Sequence, residues 1–261
     1  MVDIESALHE RCAATEGWPR RWAHGLFAGF ARRSEQRLLP QFDLVLATSD
    51  ADRNRIQQLA PRARVTVYPN AVPLRFPSPV EEEHCIAFSG NLEYHPNVAA
   101  VRFFARQVWP ALRRQDPALR WLLIGRNQWA VARWTAGDPR IEATGPVEDP
   151  LAELARARLV VAPLLAGSGT RVKILEAWAA SRAVVSTRVG AEGLPAIDGE
   201  NLLLADSPEE ILRAVWKLLE DEALRRRLGS AGRRVVEQQL CWPVVWQNLE
   251  QNLTVELGKP S

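Results

Sequence analysis

At 261 residues, 47% of them hydrophobic, the chain has ample apolar content for a packed core and room for one large or two small domains. A formal charge of only +2, from 33 basic and 31 acidic residues, excludes the broad basic field that draws nucleic acid. Cys12, Cys85 and Cys241, with His9, His24, His84 and His95, are too widely spaced for a disulfide framework or a metal site, so no metal is expected and a reducing cytosol is the simplest compartment.

At the N-terminus, Asp3, Glu5, His9 and Glu10 interrupt any apolar run that would make a signal peptide. No stretch approaches the roughly 18 apolar residues that span a bilayer. A helix is predicted over about 18–39. Its Trp22, Leu26 and Phe30 share a face, while Arg20, Arg21, Arg32, Arg33 and Arg37 decorate the surface. One reading is an interfacial membrane helix. The other, favoured because Glu35, Gln36 and Phe27 blur the segregation, is an amphipathic crossover helix packed on a sheet. Apolar runs at 42–47 and 65–68 read as strands around a short helix. Tyr68-Pro69-Asn70-Ala71-Val72-Pro73 and a proline-rich, acidic stretch through Pro77, Pro79 and Glu81–Glu83 then end regular structure.

Beyond that break, runs at 85–88, 121–124, 141–144, 159–162, 183–186 and 202–204 read as strands. Between them, 97–114, 150–157, 169–180, 208–219 and 224–239 read as helices, with caps or first-turn signals at Asn97, Asp149 and Ser207-Pro208. The alternation predicts an α/β fold, a Rossmann-like parallel sheet flanked by helices on both faces, with a partial second α/β unit before it. Ligands of such sheets bind beyond the carboxyl ends of the strands, where Gly90, Arg126, Thr144 and Ser168 fall. Trp178, between alanines, is expected to be buried. Trp109, Trp121, Trp129, Trp134 and Trp216 read as core or rim packing rather than a sugar-stacking platform.

Residues 162–177 carry the densest chemistry: a buried strand, a small-residue loop and a helix start without a gap. Pro163 stops the strand, and Gly167 and Gly169 let the backbone approach a ligand. A helix beginning near Gly169 directs free N–H groups and its positive dipole end at the loop, and Arg171 and Lys173 add full charges. A diphosphate fits such a cradle. Glu176, one to two turns on, is placed for a sugar diol rather than for phosphate, which a carboxylate repels. The plainer alternative is an ordinary strand-to-helix turn followed by a solvated basic face.

Five motifs in order decide between them: FSGNLEYHPN at 88–97, IGRNQ at 124–128, TGPVED at 144–149, APLLAGSGTRVKILEAWA at 162–179 and VVSTRVGAEGL at 184–194. The segment from Phe88 to about Leu253 resembles the C-terminal half of retaining glycosyltransferases of the group 1 family, which have the GT-B fold of two facing Rossmann-like domains. The resemblance implies three parts: residues 1–72 as a remnant of the acceptor-side N-terminal domain, 73–239 as the nucleotide-sugar-binding domain, and 240–261 as a C-terminal crossover helix and tail. It implies transfer of a hexosyl group from a nucleotide-diphosphate sugar with retention, donor phosphate assisting deprotonation of the acceptor hydroxyl. No cofactor or obligate metal is implied; the nucleotide sugar is a substrate. Arg171 and Lys173 would stabilise the departing diphosphate. Gly90 and Asn91 would face the phosphates, with the Gly167, Ser168, Gly169 and Thr170 loop. The loop from Gly145 through Val147 to Glu148 would border the base, Glu176 would bind ribose, and Arg126 completes the set.

The chain also departs from the family pattern. Ser168 stands where many members carry the first glutamate of Glu-x7-Glu, and Asn91 and His95-Pro96 replace the basic residues usual after the first strand. Judged against normal domain size, roughly 100 or more acceptor-side residues are expected to be missing. A partner chain supplying the acceptor domain, or self-association over an uncovered apolar cleft, is therefore expected, with peripheral contact at the inner face of the membrane left open. A non-catalytic nucleotide-sugar-binding module or inactive fragment is the alternative. An epimerase of related fold lacks a convincing acid-base set in the cleft.

Overall fold

The structure is a computed structural model that describes residues 4–75, 80–167, 169 and 171–257, with backbone alone from 252 to 257. Ser168, Thr170, Asp3, Pro77 and Pro79 lie outside the described residues. Two parallel sheets order the chain.

The first unit begins with α1 (Glu5–Thr15) and α2 (Arg20–Leu38), antiparallel neighbours, followed by β1 (Val45–Ala47), α3 (Asp50–Leu59) and β2 (Val65–Val67). Strands β1 and β2 pair in parallel around α3, whose N-cap Ser49 accepts from the Asp52 amide. A small core of Ile4, Leu39, Val45, Ala47, Ile56, Ala60 and Ala63 holds this unit. The expected packing of α2 on a sheet is not what forms. Its one buried residue is Ala28, while Trp22 is 65% and Phe30 64% exposed, in line with exposed Trp18 and Leu26. A two-stranded sheet has no spare face for a 19-residue helix, and α2 lies against α1 instead.

The second unit runs β3 (Cys85–Ser89), α4 (His95–Gln107), α5 (Trp109–Gln115), β4 (Arg120–Ile124), α6 (Ala132–Thr135), β5 (Ile141–Gly145), α7 (Pro150–Arg156) and β6 (Leu159–Ala162). It continues with α8 (Val172–Ala179), β7 (Ala183–Ser186), α9 (Arg188–Ala191), β8 (Leu203–Leu204), α10 (Pro208–Glu220), α11 (Glu222–Val235) and, after a π-helical turn, α12 (Trp242–Leu257). The helix read over 97–114 is two helices, because Pro110 cannot donate into a continuous ladder and the chain breaks at Val108. Asn97 is not its cap; Tyr94 occupies that position and Asn97 lies in the first turn. Asp149 and Ser207 do cap their helices, Ser207 in a reciprocal capping box with Glu210.

Strand alternation builds the core on both faces of the sheet. Ile86, Phe88, Trp121, Leu123, Val161 and Val185 face α4, α5 and α10, while Ala87, Leu122, Val160, Val184 and Cys85 face α7 and α8. Trp178 of α8 is fully buried in that second layer, its Nε1 donating to the Asn201 carbonyl at 3.0 Å. Trp109 and Trp121 are likewise buried, whereas Trp129 is 65% exposed on a turn.

The sheet order is β5-β4-β3-β6-β7-β8, all parallel. From β3 the chain winds outward through β4 and β5, then returns to lay β6 on the other side of β3. The reversal leaves a crevice beyond the carboxyl ends of β3 and β6, since the helices that follow them depart to opposite faces. Gly90, Leu164, Gly167 and Gly169 open into that crevice. Val72 donates to the Leu240 carbonyl at 3.0 Å, tying the segment after β2 to the start of α12.

Candidate functional site

Two adjoining hollows occupy the crevice. One, of about 410 Å³, is lined by Gly90, Tyr94, Asn97, Leu164, Gly167, Gly169, Arg171, Lys173 and Glu176. The other, of about 230 Å³, is lined by Ser89, Gly90, Asn91, Gly125, Arg126, Pro146, Val147 and Glu176. Gly90 and Glu176 border both, so the hollows form one bent cleft. A larger hollow of about 520 Å³ between α5, α10 and α11, lined by residues such as Gln115 and Trp216, is a groove between surface helices far from these strand ends.

Close backbone approach shapes the cleft floor. A Cβ on Gly125 would stand 2.0 Å from the Gly90 carbonyl oxygen, so the turns after β3 and β4 touch only because residue 125 is glycine. Gly90 donates to the Ile124 carbonyl at 2.9 Å, fixing the contact. At the other wall Gly167 adopts φ +149°, and the Arg171 guanidinium packs where its side chain would be.

Helix α8 starts at Val172 rather than near Gly169, with Arg171 at the N-cap position. Arg171 is buried, and its guanidinium donates to the Gly169 carbonyl and, at 3.4 Å, to that of Val189. It holds the loop as well as lining the cavity. Burial lowers its pKa, with the neighbouring Arg11 acting in the same direction.

Lys173 does not lie on the solvated basic face of the plainer sequence alternative. It is buried, with Nζ 2.7 Å from both the Ser89 carbonyl and Asn97 Oδ1, and 4.0 Å from the Phe88 ring centre. Burial pulls its pKa down to about 7, against the pull of Glu176 and with the push of Arg171. The Glu176 carboxyl is half-buried and pushed up by that burial, with Lys173 opposing. The cleft therefore holds a cation whose protonation an incoming anion would complete.

Sequence reasoning brings Gly90, Asn91, Arg126, Gly145, Val147, Gly167, Gly169, Arg171, Lys173 and Glu176 to one sheet edge, and all but Gly145 line the cleft. Gly145 is buried at the end of β5, bridged to Gly125. Ser168 and Thr170 lie outside the described residues. Two participants carried no local signal. Asn97 holds the Lys173 ammonium and also donates to the Asn91 carbonyl at 2.8 Å. Arg11, from α1, donates to the Gly167 carbonyl at 2.7 Å and forms a two-point pair with Glu192. Nor are the histidines scattered: His9, His24 and His95 meet beside Cys12 next to the cleft.

Comparison with known proteins agrees with this geometry. The model of the family described as "Glycosyl transferases group 1" matches residues 83–221. An uncharacterized 44.6 kDa protein in the cps region of Klebsiella pneumoniae is 24% identical over 158 residues, 56% of this chain and 40% of that protein. An uncharacterized glycosyltransferase of Methanocaldococcus jannaschii is 39% identical over 61 residues, 23% of this chain and 17% of the relative. The matches thus span under half the length of these relatives. Among solved structures, sucrose-phosphate synthase from Thermosynechococcus elongatus superposes with a TM-score of 0.73 at 18% identity, over 88% of this chain and 62% of that one. HepE from Anabaena, solved with UDP and glucose, gives 0.72 at 18% identity over 86% and 67%. At such identities the likeness establishes the Rossmann-like GT-B fold.

Proposed function

Because the chain belongs to the group 1 glycosyltransferases, we propose that it binds a nucleotide-diphosphate sugar in the bent cleft and transfers the sugar with retention to an acceptor. The observation that carries this is the position of Glu176 between the two hollows. A diphosphate fits the hollow with Lys173, Arg171 and the Gly167–Gly169 loop. The nucleoside fits the one bordered by Arg126 and Val147. The ribose diol then meets the Glu176 carboxylate, a hydrogen-bond acceptor. HepE was solved with UDP and with UDP-glucose, which supports a nucleotide-sugar donor here.

In the reaction the bond between the anomeric carbon and the diphosphate oxygen breaks as the acceptor oxygen bonds the same face. The acceptor proton passes to the departing phosphate oxygen. The charge developing on the diphosphate is offset by the Lys173 ammonium and Arg171, and such pre-placed donors stabilise a transition state more than its ground state. Residues 1–72 form the acceptor-side unit on this reading, 73–239 the donor domain and 240–261 the crossover helix and tail. A partner chain or second copy completes the acceptor side, for which the exposed Trp18, Trp22, Leu26 and Phe30 stripe is the contact. A donor-binding module without turnover of its own is the second reading, favoured by the two-stranded sheet of the first unit.

Titration calorimetry with UDP- and GDP-sugars tests the donor site. Saturable heat from at least one, reduced at least tenfold in affinity by Lys173→Ala, is expected; no heat from any nucleotide sugar sinks the reading. Release of labelled sugar to water or an added acceptor separates the enzyme from the module.

A further inference from the structure

Two of the four histidines of this chain and one of its three cysteines converge on one point, and a third histidine stands beside them. They arrive on separate helices. His9 and Cys12 lie one turn apart on α1, His24 comes from α2, and His95 opens α4 in the donor-binding unit. The Cys12 Sγ and one ring nitrogen each of His24 and His95 all lie within 4.8 Å of one another. Cys12 Sγ is 3.4 Å from His95 Nδ1, and His9 Nδ1 is 2.9 Å from His24 Nδ1. The His24 ring centre is 5.2 Å from that of His9 and 5.1 Å from that of His95.

The 3.4 Å between Cys12 Sγ and His95 Nδ1 is the spacing of two donors in a ligand shell. A tetrahedral ion with bonds of about 2.1 Å to nitrogen and about 2.3 Å to sulfur sets neighbouring donor atoms roughly 3.3–3.6 Å apart. The outer nitrogen of His95 is also committed: Nε2 lies 3.1 Å from Glu16 Oε1, and that carboxylate takes Arg102 at 3.1 Å as well. A carboxylate behind a ligating imidazole fixes its tautomer and orientation. Cys12 is buried, so the site is shielded from bulk solvent on the thiol side. Nitrogen and thiolate donors select a borderline-soft ion over magnesium or calcium, which take oxygen.

The geometry points to a binding site for a divalent transition ion of the zinc type, held by Cys12, His24 and His95, with water completing the tetrahedron. Binding converts the Cys12 thiol to thiolate and releases its proton to solvent. The ion clamps the α1–α2 pair to the start of α4, beside Tyr94 and Pro96 of the cleft wall. It is a structural clamp, and no step of sugar transfer runs through it, so it stands or falls independently of the donor site.

Cobalt(II) is the probe, added to the purified full chain after dialysis against a chelator. One equivalent is expected to bind with tetrahedral ligand-field bands and a thiolate-to-cobalt charge-transfer band, both removed by added zinc. Cys12→Ser should lose the charge-transfer band. His24→Ala and His95→Ala should weaken binding more than tenfold, and His9→Ala should weaken it less. His84→Gln, which alters the histidine paired with Asp116 elsewhere, should bind as the parent does. Far-UV circular dichroism establishes that each variant is folded. Absence of a stoichiometric thiolate–cobalt spectrum in the folded parent chain overturns the site, as does equal loss in His84→Gln and His95→Ala.

Discussion

Lys173 Nζ donates to Asn97 Oδ1 at 2.7 Å, joining the first turn of α8 to the first turn of α4 across the crevice between β6 and β3. The two residues are 76 positions apart, and their bond sets the cation of the cleft at the edge of the Gly90 turn. Four expectations follow from this and the neighbouring contacts.

Lys173→Met should weaken nucleotide-sugar binding about 10- to 100-fold, the range of a charge-assisted hydrogen bond at about 1.5–3 kcal/mol. Because its pKa is held down to about 7 by burial, the parent chain should bind best below that pH and lose affinity as pH rises through it. A nucleotide sugar is the right ligand, since its diphosphate has no terminal group that titrates near neutrality. For stability the sign is opposite: the cost of burying the ammonium is present below about 7 and relieved as pH rises toward 10.5, the ordinary lysine value. Calorimetry and urea unfolding from pH 6 to 9 check both, and Lys173→Met should flatten both profiles.

Gly232→Ala in α11 should destabilise the chain, reversing the usual effect. A mid-helix alanine ordinarily gains up to about 1 kcal/mol over glycine. Here its Cβ would lie 2.1 Å from Trp178 Cδ1, and Trp178 is fully buried and pinned by its bond to Asn201. Overpacking of this kind costs about 1–3 kcal/mol. A lower urea midpoint with unchanged slope is expected; a higher midpoint would contradict the packing described.

Glu192→Gln should loosen α1. Burial alone would raise the Glu192 carboxyl, but hydrogen bonds from Arg11 and Arg55 hold it down at about 2. Its contribution is therefore full above the ordinary 4.5 and is lost as pH falls toward about 2. The shift corresponds to something on the order of 3 kcal/mol. Hydrogen exchange of residues 5–15 should speed up in the variant at neutral pH, and in the parent between pH 5 and 2.5 after correction for intrinsic rates.

Trp22→Asp should shift the chain toward monomer. Trp22 and Phe30 are 65% and 64% exposed on one stripe of α2, an apolar patch of the kind that marks an interface. Sedimentation at micromolar concentration should show association of the parent chain, diminished by the substitution. A parent that sediments strictly as a monomer would leave a separate partner chain as the occupant, detectable as a shift when that chain is added.

Much of the second unit was legible in the residues themselves. The apolar run at 159–162, the proline stop and the glycine loop each act within a few positions, so strand, turn and helix follow in the order read. The Asp149 and Ser207 caps are similarly local, side chain to amide two or three residues on. Asn97 proved a first-turn residue rather than a cap: its partners are Lys173 and the Asn91 carbonyl.

The sequence by itself determined the alternation of strands and helices, and with it the parallel sheet and the edge where ligand residues gather, because periodicity and turn chemistry are short-range. Tertiary structure alone decided what state those residues are in. Burial turns Lys173 from a surface charge into a cleft cation whose pKa is pulled down to about 7. Helix pairing leaves the α2 stripe uncovered and draws Cys12, His24 and His95 together from 83 residues of chain. Charge state and convergence depend on which distant groups share a low-dielectric space, and that is set by packing across the whole chain rather than by spacing along it.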